Sequence, residues 1–137
     1  MWIGTPYHAN GAVKGVGVNC AQFLFCVAKS ARVIAPESPQ PRWFTPQLAT
    51  HSREERLVDY VTAYGAREIS EADVETGDIV LFKCGLAHGH AAIVLDWPCI
   101  IHVLPGHGCQ MGCVEEGVLG KFARRYFTLW GAFKGSE

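Results

Sequence analysis

No stretch of this chain approaches the roughly 20 consecutive apolar residues of a membrane-spanning helix, so helical membrane insertion is not expected. Neither sign of charge dominates: twelve Lys and Arg face thirteen Asp and Glu, a formal net charge of -1. Without a basic field there is little to hold a phosphate backbone, and nucleic acid is not an expected partner. Internal repeats are missing, which excludes solenoids and propellers. The opening run Met1-Trp2-Ile3-Gly4-Thr5-Pro6-Tyr7 lacks the basic stretch and apolar run of a secretory leader. Any route out of a cytoplasm is therefore expected to come from something other than such a leader. Charged residues reach only 18% against 49% hydrophobic ones, so the composition is globular rather than disordered. A chain of 137 residues suits one compact domain, 1–137, with a core of its own.

What the sequence does contain is cysteine, histidine and glycine. The six cysteines are Cys20, Cys26, Cys84, Cys99, Cys109 and Cys113. An even count permits disulfides; without a leader, most are expected to be reduced thiols packed as small hydrophobes. Gly11 to Gly17 reads as a loop. Beyond it Ala21, Phe23, Leu24, Val27 and Ala28 recur at helical spacing, predicting a helix from Cys20 to Ala31 with Asn19 as its N-cap. Pro36, Pro39, Pro41 and Pro46 then make an irregular connection. Ser52 to Tyr64 reads as a second helix, with Ser52 and Glu55 at capping-box spacing and Gly65 closing it. The second half reads as strands: Ile79–Phe82 after a Gly77-Asp78 turn, Ala91–Leu95, Cys99–Val103, and a last one within Tyr126–Phe133. Helices first and antiparallel strands after them make an α+β domain.

Chemistry is expected where the glycine-rich loop meets the first helix. A cysteine at a helix start sees unpaired N–H groups and the positive end of the dipole, which favour the thiolate. Cys20 holds that place; Cys26, deeper in the helix, does not. A thiol nucleophile needs a base and the base an orienting partner. Of the six histidines, His90 and His102 each lie six residues from Asp96. A hairpin turning there sets them directly opposite on one face. His88 shares that face if the strand begins early, and so competes with His90 as the base. A different class of reading is a zinc-binding structural module, from Cys84 with His88 and Cys109 with Cys113.

These residues also resemble a known family. Trp2 to Tyr7, followed by Lys14-Gly15-Val16-Gly17-Val18-Asn19-Cys20, is similar to the opening of the NlpC/P60 cell-wall peptidases, and most so to the branch found in phage tails and gene-transfer-agent particles. Gly77 to Phe82 matches the family's Gly-Asp strand, His90 to Val94 its histidine strand, and Ile100-Ile101-His102 the strand of its third catalytic residue. Gly106-His107-Gly108 and Gly131-Ala132-Phe133 also suit the phage branch.

The resemblance implies a papain-like fold, N-terminal helices packed on an antiparallel sheet. It implies a cysteine peptidase acting on peptidoglycan stem peptides, at or near the bond from D-glutamyl to meso-diaminopimelate. In that scheme Cys20 is the nucleophile, His90 the base and His102 the orienter. Tyr7 stands beside the nucleophile as an oxyanion donor, and the Cys20 N–H is a second donor. No cofactor or metal is required. Partners would be the peptidoglycan peptide and phage-like tail proteins, and the setting a virion tail made in a bacterial cytoplasm and acting on the wall. Two departures stand out: Asn19 replaces the family's Asp before the nucleophile, and Ala21-Gln22 replaces the small pair after it. A tail-tip structural protein that keeps the fold without the enzyme is the alternative these departures leave open. A lipid-modifying acyltransferase of related architecture places its His before its Cys, the reverse of the order here.

Overall fold

The computed structural model describes residues 3–5, 12–13, 17–18, 20–32, 34, 55–83, 85–104, 108–115, 117 and 119–130, with the side chains of 12, 13, 17, 18 and 20–22 outside the description. A two-stranded ladder, β1 (Ala12–Val13) with β2 (Gly17–Val18), leads into helix α1 (Cys20–Ser30). The glycine-rich loop expected at 11–17 therefore contains a short hairpin. Helix α2 is Arg56–Ala63, and strand β3 (Arg67–Ile69) follows it. Then come β4 (Ile79–Lys83), β5 (His88–Val94), β6 (Cys99–Leu104), β7 (Gly108–Cys113) and β8 (Arg124–Thr128). Strands β3 to β8 form one antiparallel sheet in the order β3-β8-β4-β5-β6-β7. The predicted α+β class holds, with two described helices on a six-stranded antiparallel sheet. Among the described residues no helix is long and apolar enough to cross a membrane.

Alternation along the strands creates two buried surfaces. On one, Leu24 of α1 and Leu57 and Val61 of α2 pack over Ile79, Leu81, Ala91 and Phe127. Phe23 extends this surface over Val103 and Cys109. On the other, Val80, Phe82, Ala92, Val94, Ile100, Val114 and Tyr126 cluster together. Both surfaces of β4 and β5 are thus dry, which explains their nearly unbroken apolar sequences. Each large apolar side chain taken fully from water contributes about 1.5–3 kcal/mol.

The ends of these elements follow from local chemistry. Helix α2 closes at Gly65, whose φ of 98° suits a residue without Cβ. There the Gly65 N–H donates to Thr62 O and the Ala66 N–H to Val61 O, capping the last carbonyls. Gly77, at φ 92°, turns the chain into β4, and the buried Asp78 carboxylate accepts the Glu75 N–H at 2.9 Å. The last strand ends at Thr128 rather than continuing toward Phe133.

Candidate active site

Strands β5 and β6 form the hairpin that carries the two histidines. The observed register pairs Ala92 with His102 and Val94 with Ile100. His90 is thus displaced by two residues from the expected position directly opposite His102. A shift of two preserves the face, because side chains alternate with a period of two; a shift of one would have parted the rings. Diagonal neighbours remain within reach of aromatic-sized side chains. The rings do meet: His90 Nε2 lies 2.9 Å from His102 Nδ1. Their centroids are 5.1 Å apart in an edge-to-face arrangement, with Phe82 packed against His90.

Both histidines are buried. Burial, with the adjacent His102, pushes the His90 imidazole down to about 3, and burial lowers His102 as well. The pair is therefore neutral at ordinary pH, one ring nitrogen donating to the other. If His90 Nε2–H donates, its Nδ1 is left as a proton acceptor, the state a general base needs. His102 is backed by Gly112 on β7: an ideal Cβ there would stand 3.1 Å from His102 Nε2. No side chain fits at that position without moving the ring.

His88 does not join the pair. The ladder between β4 and β5 shifts between Phe82 and Lys83, pairing Phe82 with His90 but Lys83 with His88, so that Gly89 is an extra residue on β5. This bulge breaks the alternation that would have put His88 and His90 on one face. The His88 ring turns instead to Glu55: its Nδ1 is 2.8 Å from Oε2, and its backbone N–H donates to Oε1 at 2.7 Å. Burial alone would raise the Glu55 carboxyl, but these bonds and the nearby His88 and Arg125 charges hold it below its ordinary value. The capping-box expectation is overturned here. Glu55 precedes α2 rather than sitting in its first turn, and its carboxylate makes no cap bond. Sequence reasoning missed this role, since 33 residues separate the partners and no local pattern links them.

Cys20 is the first residue of α1, as expected for a thiol at a helix start. Its side chain lies outside the described residues, as do Tyr7 and Asn19 altogether. Helix α1 packs against β5 and β6, the strands of the histidine pair. Its body covers the Leu81 surface, whereas His90 and His102 belong to the Phe82 surface.

The NlpC/P60 family pattern matches residues 4–127, nearly the whole chain. The chain belongs to the NlpC/P60 family. Its fold is also that of the crystal structure of the NlpC/p60 domain of peptidoglycan hydrolase SagA, with a TM-score of 0.61 at 20% sequence identity, over 90% of this chain and 87% of that one. No curated protein sequence matches it. The NlpC/P60 domain also bears on the zinc reading. Cys109 and Cys113 are four residues apart on one strand, hence about 13 Å along it, too far for a shared ion with Zn–S bonds of about 2.3 Å. Cys84 lies outside the described residues, and His88 is engaged by Glu55. Among the described residues no three metal-ligating side chains converge.

Proposed function

We propose that this NlpC/P60 domain is a cysteine peptidase that hydrolyses an amide bond in peptidoglycan stem peptides, with Cys20 as nucleophile, His90 as base and His102 as the residue that orients it. The observation that carries the reading is the buried hydrogen bond between His90 and His102. A base held in one tautomer by a second ring is the arrangement nucleophilic catalysis needs. Cys20, at the α1 N-terminus, attacks the substrate carbonyl carbon, and the thiol proton passes to His90. His90 returns it to the leaving amine, and water then hydrolyses the thioester. Tyr7 and the Cys20 N–H donate to the oxyanion, and Asn19 borders the substrate. The scissile bond is the one from D-glutamyl to meso-diaminopimelate, or a neighbour of it. The reading requires the α1 N-terminus to meet the histidine pair round the His88 end of β5, because the body of α1 covers the opposite surface. The setting is a phage-like tail, for which the Gly4-Thr5-Pro6-Tyr7 and Lys14-to-Cys20 segments are the support.

One observation favours a second assignment. His88 has a carboxylate partner in Glu55, at the start of a helix that packs on the same surface as α1. A Cys20–His88–Glu55 set would follow the same triad logic.

Digestion of purified cell wall, read by mass spectrometry of the released peptides, tests both. Cys20→Ala is expected to abolish release while leaving the circular dichroism and melting unchanged. His90→Gln is expected to lower kcat at least 100-fold and His88→Gln by no more than about tenfold. The reverse order transfers the base to His88. Undiminished release by Cys20→Ala rejects cysteine catalysis altogether.

A further inference from the structure

Outside the histidine site, the described residues bring two more chemically active groups together. Cys99 begins β6 and Cys113 ends β7, and the ladder pairs them directly: Cys99 with Cys113, then Ile100 with Gly112 and Ile101 with Met111. The backbone bonds define the kind of pair. The Val114 N–H donates to Pro98 O at 3.0 Å, so the neighbouring position 98/114 is the hydrogen-bonded one. Cys99 spends its own N–H on Asp96 O and its carbonyl on the Leu95 N–H, both away from β7. Positions alternate along an antiparallel ladder, so Cys99 and Cys113 form a non-hydrogen-bonded pair, whose Cα atoms stand about 4.5 Å apart with side chains on one face. That separation falls inside the window of about 4.4–6.8 Å that a disulfide requires. Cys99 is exposed and Cys113 partly so, and both are free thiols. Cys109, on the same strand, is 1% exposed and packed against Phe23 and Val103.

We propose that Cys99 and Cys113 are the site of a reversible cross-strand disulfide that ties β6 to β7. The oxidant is a small-molecule disulfide of the glutathione class. The Cys99 thiolate attacks one of its sulfurs, expelling a thiolate and leaving a mixed disulfide on Cys99. The Cys113 thiolate then attacks Cys99 Sγ, forming the Cys99–Cys113 bond and expelling the second small thiolate. The two protons lost by the cysteines go to the two small thiols. Two cysteines are oxidised and one small disulfide is reduced. The link fastens β7, the last strand in the sheet order, to β6, which bears His102, and fixes the position of Gly112 against that ring. The inference depends on the register alone, so it stands whichever histidine is the base.

The test uses the full chain, oxidised with glutathione disulfide, quenched with acid, alkylated, and cleaved with cyanogen bromide. No Lys or Arg lies between the two cysteines, whereas cleavage after Met111 separates them. The expected product is a pair of fragments joined through Cys99 and Cys113, with alkylation lost at those residues before any others. The oxidised protein should melt higher by about 5–10 °C, and dithiothreitol should restore the original midpoint. Cys99→Ser should lose both the link and the shift. A stable glutathione adduct on Cys99 with Cys113 still alkylated overturns the proposal, as does a different pairing or a melting shift that survives in Cys99→Ser.

Discussion

At the scale of single residues, the nitrogen that the proposed reaction uses as a base, that of His90, also bears on stability through one proton. Its folded pKa is depressed to about 3 by burial and by His102, whereas an unfolded histidine titrates near the usual value of about 6.5. Above about pH 6.5 both states are neutral and the full stability is present. As pH falls, the unfolded chain takes up a proton that the folded chain refuses. Stability should then drop by about 1.4 kcal/mol per pH unit for this residue, down toward its folded pKa. Urea unfolding at pH 7, 6 and 5, above the carboxylate range, reads this effect together with that of the buried His102, whose pKa is also lowered; His90→Gln should reduce the slope by its own share, and an unchanged slope would show that His90 is protonated in the fold. Glu55 acts by geometry, closing one carboxylate over both the N–H and the ring of His88. Glu55→Ala leaves that N–H without its acceptor and should cost about 1–3 kcal/mol in urea unfolding. Glu55→Gln keeps an acceptor oxygen and should cost less. Equal losses for the two would mean that the charge, not the hydrogen bond to the N–H, matters.

At the scale of elements, what could be read in advance divides by how strongly side chains declare their neighbours. Helix α1 and strands β4, β5 and β6 were legible because their apolar residues recur with one period and their ends carry turn residues. Strand β7 was not: Gly108-Cys109-Gln110-Met111-Gly112-Cys113 has the composition of a loop, and it pairs because β6 offers it a ladder. The three-residue β3 is mostly exposed and declares nothing either. The face shared by His90 and His102 was legible, but the register was not. The hairpin centres on Trp97 rather than Asp96, a detail of turn geometry. The bulge that sends His88 to Glu55 is marked in the sequence only by Gly89 inside the strand, and nothing there names Glu55 as the partner. Gly112 gains its meaning only from β7, and yields a prediction at this scale. Gly112→Ala puts a Cβ at 3.1 Å from His102 Nε2, so the ring shifts by a few tenths of an ångström. The fold should survive, while kcat on cell wall should fall roughly 3–30-fold, since small misplacements of catalytic groups are costly. The His102 ring resonances should move in parallel. Wild-type kcat in Gly112→Ala would remove His102 from the mechanism.

At the scale of the whole molecule, the sheet separates two jobs. One surface carries the helices and most of the apolar core, and the other holds the histidine pair at the end where β5 bulges. The long-range pairing of Glu55 with His88 ties the start of α2 to that end, so helix packing and site geometry are coupled. In the proposed reaction substrate choice falls to the residues around Cys20, and there the sequence departs from the family it belongs to. The family pattern this chain resembles has Asp before the cysteine; this chain has Asn19. A carboxylate facing the free amine of a released stem peptide makes a charge-assisted bond, about twice as strong as a neutral one. Asn19 has nearly the same shape without the charge, and its amide donates as well as accepts. At the position the proposed reaction gives it, Asn19 would gain little from an ammonium group and would accommodate the neutral amide of a stem peptide still attached to its glycan. The expected behaviour is a preference for intact wall over released fragments, in keeping with the proposed setting in a phage-like tail. Rates on intact sacculi and on the free stem tripeptide, measured for wild type and Asn19→Asp, check this. The substitution should raise kcat/KM for the tripeptide by about tenfold, the equivalent of roughly 1.4 kcal/mol, and leave sacculus hydrolysis equal or lower. A wild type that already prefers the tripeptide, with no change in Asn19→Asp, would show that position 19 does not govern the choice and that selection between polymer and fragment lies elsewhere on the molecule.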